Sequence, residues 1–206
     1  MLDSKCKICR RAGEKLFLKG ERCFTPKCAV VRKPYPPGVH TRPSRRGLSE
    51  FGTQLREKQK LKHLYHLREN QFRTYVERAM SAKGEDAGEA LLSALTYRLD
   101  NIVFLAGFAQ SRSVARQLVS HGHVRVNGRR TTVSSYAVRV SDSVTLSDRI
   151  WQSAVMRTAQ DMLAKYKPPA WITLDAAEKK ATIASRPDVK DIVSYNTKLI
   201  IEFYAR

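Results

Sequence analysis

The chain has 206 residues, with 38 lysines and arginines against 19 aspartates and glutamates, a formal charge of +19 and a pI near 10.1. That imbalance implies a polyanionic partner. No apolar run approaches the roughly 20 residues that cross a bilayer, so a soluble protein with no membrane role is expected.

All four cysteines fall within the first 28 residues. Two residues separate Cys6 from Cys9, four separate Cys23 from Cys28, and thirteen lie between the pairs. This is the spacing of a closed, tetrahedral zinc site, one structural Zn2+ held by four thiolates. Such a site has no open position for a substrate, so its work is folding. The segment needs it: Leu16, Phe17, Leu18, Phe24 and Tyr35 are most of its large apolar residues. Two disulfides and four free thiols are the plainer readings, and a four-cysteine iron–sulfur cluster is the main rival. The start, Met1-Leu2-Asp3-Ser4-Lys5, carries no apolar leader, which disfavours the disulfides of a secreted chain.

Residues 29–47 hold Pro34, Pro36, Pro37, Gly38, Pro43 and Gly47 and read as an extended connector. Arg42, Arg45 and Arg46 lie along it, fitting either an arm that tracks phosphates or an exposed linker. Ser49 caps a long helical run in which Leu55, Leu61, Leu64, Leu67, Phe72, Val76 and Met80 recur at three- and four-residue steps. Its length predicts a break near Glu69-Asn70. Lys58, Lys60, Lys62, Arg68 and Arg73, with Tyr65 among them, read as its solvated face. A second helical run is expected over Ala87–Ala106, with Arg98 near its middle in reach of Asp100.

Between residues 98 and 150 the chain has eight basic residues, all arginine, against three acids. Lysine is common elsewhere, so this is not global bias. The planar guanidinium grips phosphate with two bonds and stacks on bases. Ser111 caps a short helix, stopped at His121-Gly122, that sets Arg112, Ser113, Arg116 and Gln117 on one face. Its N-terminus already favours an anion through unpaired N–H groups and the helix dipole. Val124 and Val126 flank Arg125, and Asn127-Gly128 marks a tight hairpin followed by Arg129 and Arg130. Val133, Tyr136, Val138, Val140, Val144 and Leu146 read as the rest of a small curled sheet, with a turn at Ser141-Asp142. Beyond it, Arg149–Lys165 reads as a helix, and Trp171–Leu174 and Lys198–Tyr204 as strands.

Several motifs in order resemble the S-four family of small-subunit ribosomal proteins. In the first half they are Cys6-Lys-Ile-Cys9, Lys19-Gly-Glu-Arg-Cys23, Tyr35-Pro-Pro-Gly38, Gln54-Leu-Arg-Glu-Lys-Gln59 and Gln71-Phe-Arg73. In the second they are Arg98-Leu-Asp-Asn101, Gly107-Phe-Ala109, Ser111-Arg-Ser113, Ala115 to His123 and Val126-Asn-Gly128, then Ile201-Glu-Phe-Tyr204. His66 and Ser141 depart from the family, standing where glycine is usual. The resemblance implies an α+β fold: a mainly helical N-terminal domain with the zinc knot, plus an S-four RNA-binding domain of short helices on a small curled antiparallel sheet. The implied divisions are 1–47 for knot and arm, 48–97 for the helical domain, 98–150 for the RNA module, and 151–206 for a helix and strands folding back on the helical domain.

It also implies a bacterial-type cytoplasmic, ribosome-bound protein, a plastid copy being the alternative. The implied partners are 16S rRNA, at a helical junction in its 5′ domain, protein S-five and other small-subunit proteins, and mRNA near its entry channel. Some members repress their own message. Within this frame Arg112, Arg116, Arg125 and Arg129 hold phosphates, and Ser111, Ser113, Gln117 and Asn127 fix register. The candidate contacts extend to Arg98, His121, Gly122 and Gly128, to Arg10, Arg11, Arg22 and Lys27 on the knot, and to Arg45, Arg46, Gln54, Lys58, Tyr65 and Gln71. An RNA-modifying enzyme carrying the same module would need a catalytic domain. No nucleophile–base pair stands out in the sequence, so no catalysis and no small-molecule substrate are expected. A free-standing RNA regulator or a DNA-binding factor using the cysteines is the other rival. Against it, prolines rather than a recognition helix follow the cysteines.

Overall fold

In the computed structural model, residues 4–39, 47–82, 84, 86–153, 156, 163, 166–175, 177–187 and 195–205 are described. The chain divides into two units, residues 1–91 with 194–206, and residues 92–193.

The first unit is helical. Helix α1 (Lys5–Ala12) ends on Gly13, whose N–H donates to the Cys9 carbonyl at 3.0 Å. A 3₁₀ turn (Gly20–Cys23) and the short helix α2 (Ala29–Arg32) complete the cysteine segment. Ser49 opens α3 (Glu50–Leu64), its hydroxyl accepting from the Gly52 N–H. Helix α4 (Glu69–Ser81) follows. The break between them falls at Tyr65–Arg68, just before the expected Glu69-Asn70, and Glu69 opens the second helix. His66 makes the turn at φ +53°, with bonds from the His66 N–H to the His63 carbonyl and from the Leu67 N–H to the Lys62 carbonyl. This closure normally takes glycine, so no local signal marked it.

The C-terminal segment expected as a strand at Lys198–Tyr204 is a helix, α9 (Thr197–Tyr204), capped by the Asn196 side chain. Leu199, Ile200, Ile201 and Phe203 fit period 2 and period 3.6 about equally, so alternation misleads. The fully buried residue is Ile200, which a strand facing inward through Leu199, Ile201 and Phe203 would have turned to solvent. Phe203 packs on Phe51 of α3 at a centroid distance of 5.5 Å, and Tyr204 on Phe72 of α4 at 6.3 Å.

Helix α5 (Ala87–Thr96) crosses the boundary between the units. The second unit continues with α6 (Leu99–Leu105) and α7 (Arg112–Ser120). The run expected as one helix from Ala87 to Ala106 therefore splits at Tyr97-Arg98, where Arg98 is extended and bridges Ala137. Strands β1 (Val124–Val126), β2 (Arg129–Arg130) and β3 (Ser143–Leu146) follow, then helix α8 (Asp148–Trp151) and strands β4 (Ile172–Asp175) and β5 (Lys180–Ile183). They form one antiparallel sheet in the order β2-β1-β3-β5-β4.

Val124, Val126, Val144, Leu146, Ala181 and Ile183 turn one face onto Leu99, Ile102, Phe108, Leu118 and Trp171. Val133, Tyr136 and Val140 are exposed and lie outside the sheet. β4 and β5 extend this sheet, so residues 151–206 do not fold back together on the helical unit. Of that stretch α9 joins the first unit. β5 itself was not foreseen. Most of the helix expected over Arg149–Lys165 lies outside the described residues, α8 being its described start.

Candidate nucleic-acid interface

Helix α7 stands on a hydroxyl pair. Ser111 Oγ accepts from the Val114 N–H and lies 3.0 Å from Ser113 Oγ. Arg112 Nε donates to Asn101 Oδ1 at 2.8 Å, and its guanidinium lies 4.5 Å over the Phe104 ring. Asn101 is held in turn by donating to the Thr96 carbonyl at 2.9 Å. Asn101 and Phe104 of α6 thus fix Arg112, which reduces the ordering cost of presenting it to an anion. One turn on, Arg116 is half-buried and Gln117 exposed. The helix closes at Gly122, φ +73°, as expected. The Arg130 guanidinium lies against Gly122, where a Cβ would push it aside.

The hairpin forms at Asn127-Gly128, with φ of +50° and +78°. A two-residue loop dictates the register, which sets Arg125 directly opposite Arg130 and Val126 opposite Arg129. Arg125, Arg129 and Arg130 are all exposed. The row continues through Thr145 of β3 to Lys180 of β5. Like charges directly opposite oppose pairing, and an anion laid over them would relieve that. Nearby, His123 is pushed below the ordinary histidine range by burial, then by His121, Arg149 and Arg130. Arg130, Arg149 and Lys180 were absent from the expected contacts. The Asn-Gly loop could have revealed Arg130, whereas Lys180 needed the unforeseen strand.

Other expected contacts are spent inside the protein. Asn127 donates to Asp142 Oδ1 and accepts from the Ser143 N–H, both at 2.8 Å, so it ties the turn to β3. Arg98, 1% exposed, is locked on buried Asp100. Gln54, Lys58 and Tyr65 are likewise buried rather than solvated. Gln54 donates to Glu50 and Glu202, and Lys58 to Glu69. Gln71 is half-buried, Arg11, Arg22, Lys27 and His121 are exposed, and Arg45 and Arg46 lie outside the described residues.

Cys6 and Cys9 sit one turn apart on α1, Cys23 ends the 3₁₀ turn, and Cys28 precedes α2. Cys9, Cys23 and Cys28 are buried, and no disulfide joins the four. Burial pushes the Cys9 thiol up against a lowering backbone bond at Leu16, and Cys23, Cys6 and Cys28 push it further. Cys6, Cys23 and Cys28 therefore each lie within electrostatic reach of Cys9. As the side chains stand, no group of three or more His, Cys, Asp or Glu among the described residues is placed to hold a metal ion. The chemistry of the donor set, four free thiols of which three are buried, is that of a thiophilic ion's ligands.

Residues 1–96 match the family described as the ribosomal protein S4/S9 N-terminal domain, and residues 98–144 match the S4 domain. The small ribosomal subunit protein uS4 of Solidesulfovibrio magneticus is 45% identical over 205 residues, covering 99% of this chain and 98% of its own. That of Anaeromyxobacter sp. has the same identity and coverage. That of Thermus thermophilus is 44% identical over 202 residues, 98% of this chain and 96% of its own. With both domain matches in order and identity running nearly end to end, the chain belongs to the uS4 family of small ribosomal subunit proteins.

Proposed function

We propose that this protein binds the rRNA of the small ribosomal subunit at a helical junction in the 5′ domain of 16S rRNA and holds it for assembly. As a uS4 protein it is a structural constituent of that subunit, and its relatives carry the names of ribosomal proteins rather than enzymes. The observation that carries the RNA reading is the basic edge of the second unit. Arg125 and Arg130 face each other across the hairpin with Arg129 beside them on β2, and Arg112 is held at the start of α7. RNA duplexes are recognised through shape, phosphate and 2′-OH, which suits fixed guanidinium forks better than a base-reading element. Family membership also supports contacts with protein S-five, a place beside the mRNA entry path and a ribosome-bound cytoplasmic location, and, as in some members, repression of its own message.

One structural zinc on Cys6, Cys9, Cys23 and Cys28 belongs to the same proposal. It would hold together a segment whose own core is little more than Cys9, Leu16 and Leu18. The test is protection of small-subunit rRNA by the purified protein, with and without a chelator. Protection confined to a 5′-domain junction supports the role, and its loss with chelator supports the metal. Diffuse or absent protection overturns the RNA assignment.

A further inference from the structure

Within the first unit, α1, the Pro37-Gly38 turn and α3 enclose a cleft of about 550 Å³, within the range of small-ligand sites. Ile8, Ala12, Pro37 and Leu55 line it and are half-buried, while Lys7, Arg11 and Arg56 line it and are exposed. The apolar surface is thus deep and the cations stand at the mouth. Two acids stand nearby on a fourth lining cation, Lys60, whose Nζ bonds Glu57 at 2.7 Å and Glu14 at 3.3 Å, so Lys7, Arg11 and Arg56 still leave the cleft positive.

The wall is pinned rather than floppy. Arg10 Nε donates to the carbonyls of Lys33 at 3.1 Å and Tyr35 at 2.9 Å, and Nη2 to that of Pro36 at 3.3 Å. Its guanidinium also lies 4.7 Å over the Tyr35 ring. Arg10 therefore clips the proline turn to α1 and is a positioning residue.

A shaped apolar floor under three cations selects among polyanions. A duplex backbone presents phosphate and sugar but no apolar face to fill the floor, and free phosphate leaves the floor wet. A base splayed out of its stack presents a flat apolar face with a phosphate attached. We infer that the cleft receives one unstacked nucleotide of single-stranded RNA. Its base lies against Ile8, Ala12, Pro37 and Leu55, and its phosphate on Lys7, Arg11 and Arg56. This deepens the RNA-binding reading and rests on it.

The test is NMR of the isotope-labelled full-length protein, titrated separately with AMP, adenosine, inorganic phosphate and a polyglutamate peptide. AMP is expected to shift the Ile8 and Leu55 methyl signals together with Arg11 and Arg56. Phosphate should move the arginines alone. Arg56→Ala is expected to weaken AMP about tenfold by removing a charge-assisted fork. Arg10→Lys should weaken it too while leaving Lys7, Arg11, Arg56 and the apolar lining unchanged in sequence. AMP binding no tighter than phosphate, AMP shifts confined to another surface, or polyglutamate competing as well as AMP would each overturn the inference. If AMP fails while an rRNA junction fragment still binds, the cleft alone is wrong. If the fragment fails as well, the RNA reading beneath it falls.

Discussion

Arg98 and Asp100 form a two-pronged pair in the interior of the second unit, with Nε to Oδ1 at 3.0 Å and Nη2 to Oδ2 at 2.7 Å. Arg98 also sits in the break after α5 and caps α6, and the Leu99 N–H bonds the Tyr136 carbonyl at 2.9 Å. The pair therefore clamps a helix break to the loop before β3. Arg98→Met leaves a carboxylate buried without its cation and should cost about 3–5 kcal/mol, read by urea unfolding. Adding Asp100→Leu should recover most of the loss. If Arg98→Met instead leaves stability intact and weakens RNA, Arg98 is a phosphate ligand after all.

Among the non-glycine residues in the left-handed region, two sit at turns where the family resemblance leads one to expect glycine. They are His66 at φ +53° and Ser141 at φ +73°. Ser141 is exposed, and its N–H bonds the Ile183 carbonyl at 2.8 Å. Removing the Cβ there should raise stability by up to about 1 kcal/mol. Ser141→Gly is the cleaner case, because His66→Gly also removes a half-buried ring. A rise in the urea midpoint with an unchanged slope is the expected result, and no rise would mean that the turn does not carry this strain.

These turns show what the sequence could reveal. Elements with a chemical signal at their ends were legible: the Ser49 and Ser111 caps, the Gly107 and Gly122 stops, and the Asn127-Gly128 hairpin. His66 closes its helix like a glycine without being one, so the break was placed late. Lys180–Ile183 is a short strand flanked by charge and alternates too briefly to stand out. Among site residues, charge alone could not separate Arg125, which is exposed on a hairpin, from Arg98, which is spent on a partner two residues away. Burial comes from three-dimensional packing, and composition does not contain it.

Glu69 gathers three donors: Lys58 Nζ at 2.6 Å, Lys62 Nζ at 2.7 Å and the Tyr204 hydroxyl at 2.8 Å. Lys58 also lies 4.4 Å over the Phe203 ring. α3, α4 and α9 thus meet at one carboxylate. Burial alone would raise its pKa, but the bonds from Lys58, Lys62 and Tyr204 pull it down to about 2. A depressed carboxylate contributes stability that is present above its unfolded value, near 4.5, and is lost as pH falls toward 2. The first unit should therefore weaken between those values. The carboxylate is partly exposed, so the effect is discounted for screening, and Glu69→Gln should cost about 1–2 kcal/mol at neutral pH. Urea unfolding at neutral and acid pH checks it: the variant's stability should depend less on pH than the parent's. Equal pH dependence would remove Glu69 from the account.

If one zinc holds the four thiols, chelation should loosen the cysteine segment and leave the second unit alone. Hydrogen exchange would read this as lost protection on α1, with the β1–β3 amides unchanged. Cys9→Ser should reproduce the effect without chelator. Unchanged α1 protection in both cases would mean that Leu16, Leu18 and their neighbours suffice.

Arg125 and Arg130 oppose each other across the hairpin, which gives the RNA reading a test with two signs. In the free protein the pair is repulsive, so Arg125→Thr should raise stability by about 0.2–1 kcal/mol. In the proposed RNA complex the same arginine is a phosphate contact. Its loss should weaken binding and flatten the log–log salt dependence by about 0.7–0.9. Arg112→Ala with Arg116→Ala should flatten it by about two contacts, but with some loss of stability, because Arg112 also ties α7 to Asn101 and Phe104. The readouts are urea unfolding of the free protein and filter binding to an rRNA junction fragment across a salt series. A residue kept for RNA at the expense of the free fold should show opposite signs in the two assays. If Arg125→Thr gains stability and loses no binding, the hairpin does not face RNA, and the interface must lie on α7 and the first unit.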